Sequence, residues 1–360
     1  MPFNFSNGDE TLPRKKLREV EQLTLSLDNR RSTASPGATS RAHDSADEGR
    51  EDERDSANEG GAEARDSGEH SRGAGADGED QALMSRTPWF RTSPPYPKDL
   101  LKMLHEEILD FARFISPTEA EHNTRLHVIG SLAKVITELW PTSQVKVFGS
   151  FDTRLYLPTS DIDVVVLLEG LGVSPPPLHR LAVALQEARI ASQIKVLDKA
   201  RVPIIKLKDS LVGIDIDISF NTRNGIKAAE IIKEKIKEFP ALRPLAFVIK
   251  QFLLQRNLNE VFTGGLSSYS VLCLIISLLQ LHPKLQRGEI KAGFNLGVLL
   301  IEFFELYGRL VNYSVVGISI REQGSYYDKN KKYHYPYQPH LLSIEDPQDP
   351  GMFVLILIIF

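Results

Sequence analysis

The sequence predicts an α+β fold: a small sheet unit followed by a helical unit, with two helices ahead of both and a tail before them. Three observations carry this reading. Residues 41–80 hold 14 acidic residues and 5 arginines, net −9, with no Val, Ile, Leu, Met, Phe, Trp or Tyr; such a stretch cannot bury enough apolar surface to offset its chain entropy, so it reads as disordered. Short β-branched runs lie between residues 145 and 220, and from 226 onward apolar residues recur at helical spacing. The 360 residues also exceed the roughly 250 that one domain usually reaches, so two domains or a domain with a tail are expected.

The elements follow in order. Order is expected from Thr87-Pro88-Trp89-Phe90, where aromatics first cluster, which sets 1–86 apart as the tail. Leu100, Leu101, Leu104, Ile108, Phe111 and Ile115 recur at helical spacing and predict a helix over 98–115. Ser116-Pro117-Thr118-Glu119 reads as the next helix start, with Ser as N-cap, Pro in the first turn and Glu three residues on; that helix runs to about Trp140 and stops at Pro141. Strands are predicted near 145–148, 161–167, 193–197, 203–208 and 213–220, with a helix at 178–191 between the second and third. Helices follow near 226–238, 241–256, 266–280 and 295–309.

The charge balance narrows the partners. Residues 1–40 carry net +1, which leaves +4 over 81–360 of the total −4, a mildly basic folded part that permits a polyanionic partner. The single Cys excludes a disulfide framework or a Cys-rich zinc module and suits a reducing compartment. No apolar run reaches the roughly 18–20 residues that span a bilayer, and the start MPFNFSNGDETLPRKK has no apolar signal core, so no membrane partner is expected. Pro13-Arg14-Lys15-Lys16-Leu17-Arg18 is a basic cluster of the kind nuclear import receptors read, and also one that chance supplies.

The chemistry sits at Gly149-Ser150 and Ser160-Asp161-Ile162-Asp163. On a strand, residues i and i+2 share a face, so Asp161 and Asp163 project together. Two adjacent carboxylates repel unless a cation lies between them, and an oxygen-only pair suits Mg²⁺; a solvated pair at a strand edge is the alternative. Gly149-Ser150 offers a turn where backbone N–H groups and a hydroxyl could meet a phosphate, or an ordinary strand-ending turn. Ile214-Asp215-Ile216-Asp217-Ile218-Ser219-Phe220 is a second apolar strand with acids on one face. A third carboxylate from a neighbouring strand completes what a two-metal phosphoryl-type transfer requires.

Gly149-Ser150, Asp161-x-Asp163 and Asp217 before Ile218-Ser219-Phe220-Asn221 together resemble the polymerase-β-like nucleotidyltransferase superfamily. Val202-Pro203-Ile204-Ile205-Lys206, Phe247 to Arg256, Gly264-Gly265-Leu266-Ser267-Ser268-Tyr269-Ser270 and Ile344-Glu345-Asp346-Pro347 resemble the noncanonical poly(A) polymerases, and within them the TRAMP type. The resemblance covers about Thr87 to Pro350. It implies a nucleotidyltransferase sheet domain over 145–225 and a helical central (PAP-associated) domain made of the leading helices, 87–144, with 226–351. It implies Asp161, Asp163 and Asp217 as catalytic metal ligands for Mg²⁺ or Mn²⁺, with Asp215 the lesser candidate for the third. It also implies Gly149, Ser150, Gly225, Lys250, Ser268 and Tyr269 as nucleotide contacts. Without it, Lys250 would read as a helix-surface lysine and Tyr269 as a core aromatic.

The implied activity is template-independent transfer of AMP from ATP to RNA 3′ ends in nuclear RNA processing, in the nucleus or nucleolus. Zinc-knuckle RNA-binding proteins and an RNA helicase are the implied partners, because no RNA-binding module of the chain's own is evident. Use of UTP, as in terminal uridylyltransferases, and a non-catalytic interaction role are the alternatives. Where relatives continue with Asn-Asp-Val-Gly-Arg and a final helix, residues 352–360 read Met-Phe-Val-Leu-Ile-Leu-Ile-Ile-Phe. That apolar tail is an aggregation hazard if exposed, and it predicts a C-terminally truncated product with a weakened nucleotide pocket.

Overall fold

A computed structural model describes residues 87–168, 177–332, 340–349 and 353–356. The acidic tail and the basic cluster at 13–18 lie outside these residues.

Helix α1 spans Leu100–Ile115, capped by Asp99, whose side chain accepts from the Lys102 N–H. Helix α2 spans Glu119–Leu139 and starts on a reciprocal capping box: Thr118 accepts from the Glu121 N–H, and Glu121 accepts from the Thr118 N–H. The expected cap at Ser116 is therefore displaced by two residues. Ser116 instead ends α1, where its hydroxyl donates to the Ala112 carbonyl at 2.6 Å. Both residues have Glu three positions on, so the motif alone could not separate them.

Five strands follow: β1 (Gln144–Phe148), β2 (Ile162–Leu167), β3 (Ala191–Leu197), β4 (Ile204–Asp209) and β5 (Asp215–Phe220). They form one sheet in the order β1-β2-β5-β4-β3. Only the central pair β2/β5 is parallel; the other neighbours are antiparallel. Period-two alternation sorts the side chains. Ile162, Val164 and Val166 of β2, Ile205 and Leu207 of β4, and Ile216 and Ile218 of β5 pack in one core with Val128, Leu132 and Ile136 of α2. Leu178, Leu181 and Leu185 of helix α3, Leu178–Glu187, complete it. The helix α2 thus belongs to the sheet unit, which corrects its expected place among the leading helices of the central domain. An amphipathic pattern reveals that a face is buried but not against which partner.

Helix α4 (Asn224–Glu238) packs on β1 and the turn after it as well as on the helix that follows. The main helices of the second unit are α5 (Leu242–Gln255), α6 (Ser268–Leu281) and α7 (Leu296–Glu305). Helix α1 packs on α5 and α7, and α5 on α6. Every residue from Ser270 to Leu281 is buried, so α6 runs through the centre of this unit. The stretch expected to be helical to its end also carries a four-stranded sheet, β7-β6-β8-β9 in order. Its strands are β6 (Val316–Ser319), β7 (Ser325–Asp328), β8 (Leu342–Glu345) and β9 (Phe353–Ile356). Strands β6 and β7 pair antiparallel as a β-hairpin. Part of the apolar tail is strand β9, paired antiparallel with β8; the rest lies outside the described residues. No helix among the described residues is long and apolar enough to cross a membrane.

Candidate active site

The sheet face turned away from α2 and α3 carries one residue from each strand in a single row. Register pairs Phe148 with Asp163, Asp163 with Asp217, Asp217 with Lys206, and Lys206 with Lys195. Asp161, two residues before Asp163, joins the same face. All of these line a cleft of about 900 Å³, together with Gly149, Ser150, Gly225, Lys250, Ser268 and Tyr269. The structure therefore brings every sequence-predicted site residue to one cavity.

Electrostatics set this row apart from an ordinary strand surface. Burial, then the charges of Asp161 and Asp217, push the Asp163 carboxyl up to about 7, with Lys206 and Lys250 offsetting part of the rise. Burial and the Asp217 charge likewise raise Asp161. Lys206 bonds Asp217 at 2.5 Å. Burial pulls the Lys206 ammonium down, but the Asp217 hydrogen bond and the charges of Asp217 and Asp161 outweigh it and raise it. Asp215 has another partner: it pairs with Lys208 at 2.9 Å and is 60% exposed. Depth and register thus favour Asp217 as the third member of the acidic group.

The turn after β1 approaches this group closely. Gly149 has φ +65°, and a Cβ there would strike the Asp163 carboxylate, so both backbone and space require glycine. Gly225 opens α4, where a Cβ would strike the Phe148 ring; packing alone accounts for its glycine. Facing the sheet, Ser268 and Tyr269 begin α6, whose N-cap Ser267 accepts from the Ser270 N–H at 3.2 Å. Such a helix start presents free N–H groups to an anion. The Tyr269 hydroxyl is buried near Gln348 and Cys273, and burial, first, raises its pKa.

Lys250 is a buried lysine rather than a helix-surface one. Its Nζ donates to the Leu155 carbonyl at 2.6 Å, and burial brings its pKa down to about 8, against the pull of Asp161 and Asp163. Reading the sequence missed two further cations. Lys206 appeared there only within a family motif; its alternation with Ile205 and Leu207 could have placed it on the acidic face once the strand order was known. Arg125 lies on α2 and left no signal beyond helical spacing.

Oxygen-only donors, desolvated and mutually repelling, are of the kind a divalent cation neutralises, and Asp161 and Asp163 fit one on that ground. Among the described residues, no three His, Cys, Asp or Glu side chains already converge around a common metal position, and Asp217 is engaged by Lys206.

Residues 104–234 match the family described as the central palm domain of mitochondrial-like poly(A) RNA polymerases, and residues 295–351 match the Cid1 family of poly A polymerases. Poly(A) RNA polymerase CID14 of Cryptococcus neoformans is 45% identical over 274 residues, 75% of this chain and 36% of that protein. Poly(A) RNA polymerase protein 2 of Saccharomyces cerevisiae is 43% identical over 256 residues, 70% of this chain and 44% of that protein. The chain thus spans less than half the length of these curated relatives. Among solved structures, the polymerase core of TRAMP, a RNA surveillance complex, superposes with a TM-score of 0.69 at 40% identity, covering 74% of this chain and 84% of that one. Residues 104–234, the first matched region, contain the acidic row, and with the 40% identity to the TRAMP polymerase core this places the chain among the noncanonical poly(A) polymerases, within the polymerase-β-like nucleotidyltransferases.

Proposed function

We propose that the chain is a template-independent RNA 3′-terminal adenylyltransferase, which joins AMP from ATP to an RNA 3′-hydroxyl and releases pyrophosphate. The observation that carries this reading is the row of carboxylates Asp161, Asp163 and Asp217 on one sheet face of a cleft, opposite a helix start bearing Ser268 and Tyr269.

Asp161, Asp163 and Asp217 would hold Mg²⁺ or Mn²⁺. Such ions supply charge for the attacking and leaving oxygens of a phosphoryl-type transfer. Asp217, on the row beside Lys206, takes the proton of the attacking hydroxyl. Lys206 holds that carboxylate in place through their 2.5 Å bond. Gly149 and Ser150 let the backbone and a hydroxyl come close to the triphosphate, and the backbone at Gly225 lies beside the sugar. Lys250 contributes a buried positive charge, Ser268 donates to a phosphate oxygen, and Tyr269 offers its ring to the base. With the groups so placed, catalysis needs only positioning and charge neutralisation.

A nuclear role in RNA processing and surveillance is supported by the likeness to a polymerase core of an RNA surveillance complex. Zinc-knuckle RNA-binding proteins and an RNA helicase are the proposed partners that would supply RNA affinity. Extension of a labelled RNA primer, with each of the four nucleoside triphosphates offered separately, tests this reading. Extension with ATP above the others is expected; preference for UTP would make the chain a uridylyltransferase, and no extension with any would leave a non-catalytic role.

A further inference from the structure

The segment that delivers Asp161 to the cleft is Leu155–Ser160, between the turn after β1 and strand β2. Its apolar half is buried: Leu155, Tyr156 and Leu157 are at most 4% exposed. Outside any strand, three backbone carbonyls of this segment are received by two buried cations. From α5, Lys250 donates to the Leu155 carbonyl. From α2, Arg125 donates through one guanidinium nitrogen to the Ser160 carbonyl at 2.8 Å and through the other to the Pro158 carbonyl at 2.9 Å. The Arg125 guanidinium also lies over the Tyr156 ring, 4.7 Å from its centroid, and the residue is only 4% exposed. Within the segment, the Leu157 N–H donates to the Ser160 hydroxyl at 3.0 Å and the Ser160 N–H donates to the Leu157 carbonyl at 2.9 Å.

We propose that Arg125 is a positioning residue of the active site: its two-pronged grip on Pro158 and Ser160 fixes the segment that sets Asp161 beside Asp163. The role rests on the nucleotidyltransferase reading above, and it goes beyond it, because Arg125 touches neither carboxylate through a hydrogen bond and acts through the backbone. A planar fork stacked on a ring can meet two carbonyls at once, whereas an ammonium is a point donor. Lysine should therefore replace arginine only in part. Removing the guanidinium would leave the Pro158 and Ser160 carbonyls without the donor that ties them to α2.

The test compares the full chain with R125K, R125M and, as a control, V128A. Val128 lies one turn further along α2 in the sheet core and touches none of these carbonyls. Amide hydrogen exchange is expected to accelerate at least tenfold over residues 155–161 in R125M, by an intermediate factor in R125K, and not selectively there in V128A. Mn²⁺ binding, read by electron paramagnetic resonance, should weaken at least tenfold in R125M and less in R125K. Unchanged exchange and Mn²⁺ affinity in R125M would overturn the proposal, and so would equal local effects in V128A at a matched melting temperature. If R125M does not fold, R125K decides on the same two readouts. The variant D161A/D163A separates the two readings: if it binds Mn²⁺ as tightly as the parent, the metal assignment fails, while the exchange data still decide the role of Arg125.

Discussion

Asp163 is the residue on which burial and chemistry collide. Its carboxyl sits among two others and is pushed up to about 7, above its value in the unfolded chain. The protonated form is therefore favoured by the fold, and this contribution to stability is fully present below the ordinary carboxylate pKa and lost as pH rises through about 7. In chelator, the Asp163→Asn variant should melt several degrees above the parent at pH 8 and level with it at pH 4. Thermal melts at the two pH values check this; a variant that is not stabilised at pH 8 would mean that Asp163 is not desolvated. Adding Mg²⁺ at pH 8 should stabilise the parent and leave Asp163→Asn nearly unmoved. Single-turnover rates then separate the two acids of β5. Asp217→Asn should lose at least two orders of magnitude in rate, and Asp215→Asn, which only frees Lys208, should stay within about threefold. The opposite order would show that the strand register assigned to the site is wrong. Asp161 and Asp163 were legible as a pair because two positions on a strand share a face. The choice of Asp217 over Asp215 needed the structure, since both obey that rule and only depth and the Lys206 partner distinguish them.

At the scale of elements, the start of α2 shows what local chemistry contributes. The capping box satisfies two N–H groups at an exposed helix end, so Thr118→Ala should cost about 1 kcal/mol without altering the ATP KM. Chemical denaturation alongside steady-state kinetics measures both; an unchanged midpoint would show that the box contributes nothing in solution. The strands of the first sheet were legible from short β-branched stretches, which alternate with polar residues in β1 and β4 and run nearly unbroken in β2. The second sheet was not, for physical reasons: its strands are four residues long, and β6 pairs with β8 in parallel across an intervening hairpin. Such pairing leaves no local trace. The same holds for α2, whose apolar stripe is clear in sequence while its partner, the back of the first sheet, is fixed only by the tertiary fold. Lys206 and Arg125 follow from this. Each acts on a residue that the chain reaches only after the strands have paired.

Across the whole molecule, the sheet unit supplies the acids and the helical unit supplies Lys250, Ser268 and Tyr269, so the cleft exists only where the two meet. Lys250 ties them directly, reaching from α5 to the Leu155 carbonyl of the sheet unit. The central claim is that the acidic row on one sheet face performs AMP transfer to RNA. The most direct measurement is the rate of ATP-dependent 3′ extension of an RNA primer in Mg²⁺ by the full chain and by D161A/D163A, with circular dichroism confirming that both are folded. The account predicts extension by the parent and a loss of at least a thousandfold in the variant, at an undiminished melting temperature. Extension by the folded variant within about tenfold of the parent would contradict it.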